Sequence, residues 1–155
     1  MGVEMIEEKE KRESKESKEI KKKKKFLRKF YWDSKDLEDL ERKLEKINIK
    51  IESIRTSNLS SMPKTGLAQD ISDLLALQEQ YQQQIVKKII KLEKNRQNIE
   101  SSIDTLEDSR LKLILRYSYL ENYTYKDIAI ELKKSERHIR RLHDIAIRLL
   151  EIVEK

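Results

Sequence analysis

The stretch ENYTYKDIAIELKKSERHIRRLHDIAIRLL, residues 121–150, decides how the C-terminal third of this chain folds. Thr124 and Asp127 are three residues apart, which is the spacing of a capping box at the start of a helix. Ser135 has the side chain of an N-cap, and it precedes a second, longer helical run. A short helix, a turn of about three residues and a longer helix together predict a helix-turn-helix.

Apolar residues at helical spacing supply the faces that such a motif has to bury. A helix that precedes the motif has its apolar face at Leu111, Ile114 and Leu115. The short helix buries Ile128, Ala129 and Leu132, of which the small Ala129 suits a close helix crossing. In the longer helix the predicted buried face is Ile139, Leu142, Ala146 and Leu149.

The opposite face of the longer helix is rich in arginine, and it consists of Arg137, Arg140, Arg141, Asp144 and Arg148. In a helix-turn-helix this helix enters the major groove, where a guanidinium can donate two hydrogen bonds to guanine or grip a phosphate. A charged helix face is often only solvated, but its position directly after the turn favours DNA contact. The candidates for contact with base edges are Glu136, Arg137, His138, Arg140 and Arg141. The candidates for contact with phosphates are Lys126, Lys133, Lys134, Ser135 and Arg148.

Two longer helices are predicted upstream. From residue 34 to residue 54, apolar side chains recur at alternating steps of three and four, which is the pattern of a coiled coil. Residues 55–66 contain Pro63 and Gly66, which interrupt a helix. A second, less perfect heptad pattern covers residues 68–106. The two segments predict an antiparallel helical hairpin.

The second of these helices is predicted to be longer than the first, so the hairpin of one chain leaves part of it uncovered. We expect another copy of the chain to cover it, which predicts a homo-oligomer, either a dimer or a tetramer. The alternative is a monomeric hairpin that packs against the C-terminal domain. The residues predicted to hold the oligomer together are Leu37, Leu40, Leu44, Ile47, Ile51, Ile54, Ile85, Leu92 and Ile99.

The N-terminal segment, residues 1–31, is dominated by Lys, Glu and Ser and has little apolar surface, which predicts disorder or a frayed helix. Net charge is +5 in residues 1–32, −3 in residues 33–108 and +4 in residues 109–155, so a polyanion would meet the two ends of the chain. The run KKKKKFLRKFYW, residues 21–32, interleaves lysines with aromatic residues. Three interpretations stay open: a solubilising tail whose aromatic residues cap the next helix, contact with a DNA backbone, or contact with an anionic membrane surface.

Composition excludes several classes of protein. Charged residues make up 41% of the chain and hydrophobic residues 37%, and the chain has only two Gly and one Pro, which favours long helices over β-structure. The absence of Cys excludes a disulfide framework and a thiolate metal site and favours a reducing cytosol. His138 and His143 lie about 140° apart on a helix, so we expect no metal site and no cofactor, and we expect His143 to cover the edge of the domain. The start of the chain lacks the apolar core of a signal peptide, and no apolar run is long enough to span a membrane, so we do not expect a secreted or membrane protein. No catalytic constellation is present, so we do not expect an enzyme.

The segment LILRYSYLENYTYKDIAIELKKSERHIRRLHDIAIRLLE, residues 113–151, resembles region 4 of bacterial sigma factors. More closely, it is similar to phage late-transcription regulators of the ArpU and RinA type. The similarity is carried by the RY pair at residues 116–117, the YKDIA stretch and SERHIRRLH at residues 135–143. The hairpin, with its SSMPKTGLAQD link at residues 60–70, also resembles the coiled-coil part of these proteins. Two turn glycines of the family are replaced by Asn122, which suits a left-handed position, and by Lys133, for which such a position costs about 1 kcal/mol.

The sequence therefore predicts an all-α protein with three parts: a charged tail (residues 1–31), a coiled-coil hairpin for oligomerisation (residues 32–102) and a helix-turn-helix domain (residues 103–155). The resemblance implies a sequence-specific transcriptional regulator that binds double-stranded DNA in the cytoplasm of a bacterial host. It also implies activation of phage or prophage late or packaging genes, with RNA polymerase as a further partner. The alternatives are a coiled-coil packaging adaptor that recognises viral DNA, and a module whose arginine face binds an acidic protein.

Overall fold

In the computed structural model, residues 2–57 and 67–155 are described, and every regular element in them is a helix, as predicted. None of these helices is both long and apolar enough to cross a bilayer. The predicted break at Pro63 and Gly66, and with it most of the 60–70 link, lies outside the described residues. The elements are α1 (Gly2–Ser57), α2 (Leu67–Ile103), α3 (Ser109–Leu115) with a π-helical continuation (Arg116–Leu120), α4 (Tyr125–Leu132) and α5 (Glu136–Leu149).

The chain forms two compact units. The hairpin unit consists of residues 32–57 and 67–93, and the terminal unit consists of residues 2–31 together with residues 94–155. This division differs from the predicted one, because both the N-terminal segment and the last ten residues of α2 belong with the C-terminal helices. Each long helix thus contributes a part to both units.

In the hairpin unit, α1 and α2 pack antiparallel. The Gln78 amide donates a hydrogen bond of 2.7 Å to Asn48, and Lys88 Nζ lies 3.1 Å from Asp33 Oδ1. As the residue number rises along α2, the number of its contact residue in α1 falls, which is the pattern of antiparallel helices. The predicted seam lies inside this single-chain hairpin: Ile47 and Ile51 are buried, and the half-buried members are Leu37, Leu40, Leu44, Ile54, Ile85 and Leu92.

A polar cluster interrupts this seam at Lys88. Its ammonium group is held by Asp33 and by Asp36, whose nearest oxygen is 3.2 Å away. Burial by itself would lower the pKa of Lys88, but the hydrogen bonds to the two carboxylates raise it above its ordinary value. A partly buried charge cluster of this kind favours one register of a coiled coil more than it adds stability.

The core of the terminal unit joins the N-terminal segment to the C-terminal helices. Leu27 has no exposed surface, and it belongs to one cluster with Ile99 and Ile103 of α2 and with Ala146 and Ile147 of α5. Partly buried residues of α1 that pack against the same cluster are Ile20, Phe26 and Phe30. The two states predicted for this segment were disorder and a frayed helix. Disorder differs from the structure, whereas a helix agrees with it, because α1 is continuous from Gly2.

The reason for this difference lies in how the apolar residues are spread. Ile20, Leu27 and Phe30 are widely separated in a lysine-rich segment, so no continuous apolar run marks a core helix. Their partners are far away in sequence, in α2 and in the C-terminal helices. Since α1 covers Ile99 and Ile103, no second copy of the chain is needed to bury the end of α2.

We predict that Leu27→Ala lowers the free energy of unfolding by about 2–4 kcal/mol, because it leaves a cavity in the shared core. The matched control is Ile6→Ala, which shortens a side chain of the same segment that is 58% exposed and should change stability by less than about 0.5 kcal/mol. Urea unfolding of both variants measures the difference. Equal stability of the two variants would mean that the segment is a solvated tail.

Candidate nucleic-acid interface

The caps predicted for the two helices of the motif are confirmed. The hydroxyl of Thr124 accepts a hydrogen bond from the backbone N–H of Asp127 at 3.2 Å, and Asp127 Oδ2 accepts one from the backbone N–H of Thr124 at 2.9 Å. At the start of α5, Ser135 Oγ accepts from the backbone N–H of His138 at 3.2 Å. These caps fix where α4 and α5 begin.

The two predicted left-handed positions are also confirmed. Asn122 has φ 58° and Lys133 has φ 54°, the latter between α4 and α5. Beyond Lys133, the backbone N–H of Lys134 donates to the carbonyl of Ala129 at 3.0 Å, which closes the end of α4. The sharp turn of the helix-turn-helix thus depends on one lysine with strained backbone.

A second apolar cluster holds the three short helices together, and its buried members are Ile114, Ile128, Ala129 and Ile139. Leu111 and Leu115 are buried as predicted, but they belong to the core shared with α1. The prediction for Leu149 is wrong, because its side chain is 60% exposed. Ile139 and Ala146 are buried as predicted, and the buried face of α5 also includes His143 and Ile147. Leu150, directly after the helix, is buried in the core that Leu27 of α1 shares with Ile147.

A buried polar network crosses this core at His143, which the sequence placed at the domain edge but which is only 2% exposed. Its Nε2 lies 2.8 Å from the Tyr119 hydroxyl and its Nδ1 lies 3.3 Å from the Tyr125 hydroxyl. A neutral imidazole has one donor and one acceptor nitrogen, so it can serve both hydroxyl groups. The network ties α5 to the π-helical turn and to the start of α4.

Burial lowers the pKa of His143, and the nearby charges of Lys24 and Arg28 lower it further, while Asp144 acts in the opposite direction. The imidazole is therefore neutral at neutral pH. Burial also raises the pKa of Tyr119, so its hydroxyl stays protonated. The neutral imidazole can therefore hold both hydrogen bonds of the network. In the described ranges no group of His, Asp and Glu has the arrangement of a metal site.

The arginine face of α5 is exposed as predicted, but its members differ in what they contact. Arg140 Nη2 lies 2.8 Å from Glu136 Oε1, and the Arg140 guanidinium carbon lies 5.3 Å from the centre of the Tyr125 ring. Arg137 and Arg141 form no ion pair with another described residue. Of the base-edge candidates, His138 is half-buried and the others are exposed.

The candidates for contact with phosphates lie in two separate parts of the helix-turn-helix. Lys126, Lys133, Lys134 and Ser135 are exposed at α4 and at the turn that leads into α5. Arg148 lies near the C-terminal end of α5, where its Nε is 3.9 Å from Glu16 Oε1 and its carbonyl accepts a 3.0 Å hydrogen bond from Lys23. Arg148 therefore contacts α1 on both its side chain and its carbonyl group. This makes it a less suitable phosphate contact than the residues at the turn.

The contacts of several tyrosines and of Arg28 near this surface were not predicted from the sequence. Residues 116–120 form a π-helical turn, and the ring of Tyr117 in this turn stacks on that of Tyr123 with centroids 4.9 Å apart. The turn brings Tyr119 to His143, and α1 brings Arg28 to the same region. The clustering of tyrosines at residues 117–125 was the one available signal, since it is unusual in so charged a chain.

Capped α4, the left-handed turn and the exposed arginine face of α5 define a helix-turn-helix of the type that reads DNA. Residues 103–151 match the family model for sigma-70, region 4, which is a DNA-binding helix-turn-helix domain. The C-terminal part of the chain is thus a sigma-region-4-like helix-turn-helix. Comparisons with curated proteins and with solved structures gave no match.

The His143 network makes stability depend on pH. Because folding lowers the pKa of this imidazole, its contribution is fully present above the unfolded value of about 6.5 and is lost as pH falls below it. We predict that the stability advantage of the parent over His143→Gln is largest near pH 7.5 and shrinks by pH 5.5. Urea unfolding at both pH values measures it, with His138→Gln as the control for the other imidazole. A difference that does not change with pH would contradict the network.

The strained turn gives an independent prediction. Lys133→Gly should raise the free energy of unfolding by about 0.5–1 kcal/mol, because glycine reaches positive φ without steric cost. Lys134→Gly is the matched control at a neighbour without positive φ, and it should destabilise. If thermal unfolding shows that both variants lose stability, α4 does not end in the left-handed turn described above.

Proposed function

We propose that this protein is a sequence-specific transcriptional regulator that binds double-stranded DNA through α5. The observation that carries the proposal is the arginine face of α5, exposed on a helix-turn-helix whose caps and turn are in place. Arg137 and Arg141 have no ion-pair partner among the described residues, so their guanidinium groups are available to base edges. Arg140 is already held by Glu136 and Tyr125, which suits a pre-positioned contact.

The biological setting is a further part of the proposal. We propose activation of late or packaging genes of a phage or prophage in the cytoplasm of a bacterial host, supported by the resemblance to regulators of the ArpU and RinA type. Contact with RNA polymerase is proposed because sigma region 4, which residues 103–151 match, is part of a polymerase subunit. The protein acts in this proposal by binding, not by catalysis.

We also propose that the regulator is a homo-oligomer, with an interface different from the predicted seam. The seam is occupied inside one chain, whereas Leu75, Val86, Ile89 and Ile90 lie on one side of α2 and are 39–66% exposed. An exposed apolar stripe of this kind on a hairpin supports association with a second chain. Two helix-turn-helix units would then bind two half-sites of one DNA segment.

Arg141 tests whether α5 reads bases. Arg141→Ala should cost about 1–3 kcal/mol on a preferred site and relax the preference at one or two base positions. Arg141→Lys should restore binding to DNA of any sequence but not the preference, since lysine lacks the planar fork. The preferred site comes from selection of a random DNA pool with the full-length chain, and fluorescence anisotropy measures affinity on selected and scrambled duplexes.

Arg148→Ala is the matched control, since it removes the same charge from the end of α5 that faces α1. Arg148→Ala should weaken binding less than Arg141→Ala does, and by the same factor on the selected and the scrambled duplex. Circular dichroism confirms that each variant is folded. If Arg141→Lys prefers the selected duplex as strongly as the parent, or if all variants lose affinity equally on every sequence, direct base readout by Arg141 is wrong.

A further inference from the structure

The terminal unit contains a cleft between α1 and the segment that leads into α4. Arg28 and Tyr31 form its α1 side, and Ser118, Asn122 and Tyr123 lie opposite them. Its volume is about 260 Å³, which is below the roughly 300–1,000 Å³ of typical small-molecule sites. The cleft therefore suits one chemical group better than a whole cofactor.

The chemistry of the cleft walls favours an anion. They offer a guanidinium, an amide and several hydroxyl groups, and none of the described residues that line the cleft carries a carboxylate. Arginine, serine, asparagine and tyrosine are residue types that proteins use to bind phosphate oxygens of DNA. The backbone N–H of Thr124 contributes nothing here, because Asp127 already accepts its hydrogen bond.

Arg28 is the charged group of this cleft. It is exposed and forms no ion pair with another described residue, so its charge is not neutralised locally. Burial and Asp144 raise the pKa of Tyr125, whereas Arg140 and Arg28 lower it. Two guanidinium groups, one on α1 and one on α5, thus act on the same hydroxyl.

The cleft adjoins the helix that we propose to read bases. Tyr125 lines the cleft, and the guanidinium carbon of Arg140 lies 5.3 Å from the centre of the Tyr125 ring. One tyrosine ring therefore separates the cleft from the exposed face of α5. We expect the backbone of a DNA whose major groove holds α5 to pass near this position.

We propose that the cleft binds one backbone phosphate of the DNA held by α5, with Arg28 as the principal contact and the hydroxyl groups of Tyr123 and Ser118 as further donors. The N-terminal helix is then part of the DNA interface, through a residue beyond its run of lysines. This inference rests on the proposed function. In this proposal α1 binds one particular phosphate through Arg28, in addition to any general attraction between its run of lysines and the DNA backbone.

The test compares Arg28→Ala with Lys29→Ala in the full chain, on a duplex selected by the parent from a random pool. The two variants remove the same charge from adjacent exposed residues, but only Arg28 lines the cleft. We expect Arg28→Ala to weaken binding about tenfold, equally for all sequences, and to reduce the slope of log affinity against log salt by about one. Lys29→Ala should weaken binding less than about threefold.

A chemical probe identifies the phosphate itself. Ethylation of single phosphates of the duplex should reveal one position that weakens binding of the parent but not of Arg28→Ala. Tyr123→Phe, which keeps the ring that stacks on Tyr117, should weaken binding in the parent but have little further effect in Arg28→Ala, since both side chains hold one phosphate. Thermal unfolding checks that the variants are folded.

The outcomes separate the two proposals. If the parent binds the selected duplex but Arg28→Ala and Lys29→Ala lose affinity equally, or if the ethylation pattern is the same for parent and Arg28→Ala, the phosphate site is wrong while the regulator proposal stands. If the parent selects and binds no duplex even at low salt, the regulator proposal fails, and the phosphate site fails with it.

Discussion

Burial of Leu27 is the constraint on which the terminal unit depends. A lysine-rich segment cannot order itself from its own apolar surface, so its helix exists because one leucine and a few neighbours fit a core built by α2 and α5. The three short helices depend on the same contact, because Ala146, Ile147 and Leu150 of the α5 region complete that core. Without α1, this side of α5 would be open to water. The N-terminal helix is therefore a part of the helix-turn-helix domain.

This packing explains how polar groups of the terminal unit are used. Lys23 donates to the carbonyl of Arg148 near the end of α5, where a cation is favoured by the helix dipole. In the middle of the helix, His143 joins the hydroxyl groups of Tyr119 and Tyr125. Polar contacts thus join α5 to α1 at its C-terminal end and to the π-helical turn and α4 at its middle. Arg137, Arg140 and Arg141 remain exposed on the opposite face of the helix.

Local chemistry could be predicted from the sequence, and long-range packing could not. The caps at Thr124 and Ser135 follow from neighbouring residues, so short-range rules were sufficient for them. The positive φ of Lys133 was expected from the resemblance, in which a glycine stands at this position. Leu149 and His143 were misplaced because helical periodicity alone does not show which neighbour covers a face. The role of Leu27 was missed for the same reason, since its partners are more than seventy residues away. Arg28 became a candidate only when α1 was placed beside the motif.

Native-state hydrogen exchange shows whether the N-terminal part of α1 and the helix-turn-helix form one cooperative unit. We expect the backbone amides around Leu27 and those of α5 between Ile139 and Ile147 to exchange with the same free energy of opening, equal to that of global unfolding of the unit. Both sets should respond alike when urea is added. Rapid exchange around Leu27 while the α5 amides remain protected would show instead that the N-terminal part of α1 detaches without unfolding the helix-turn-helix.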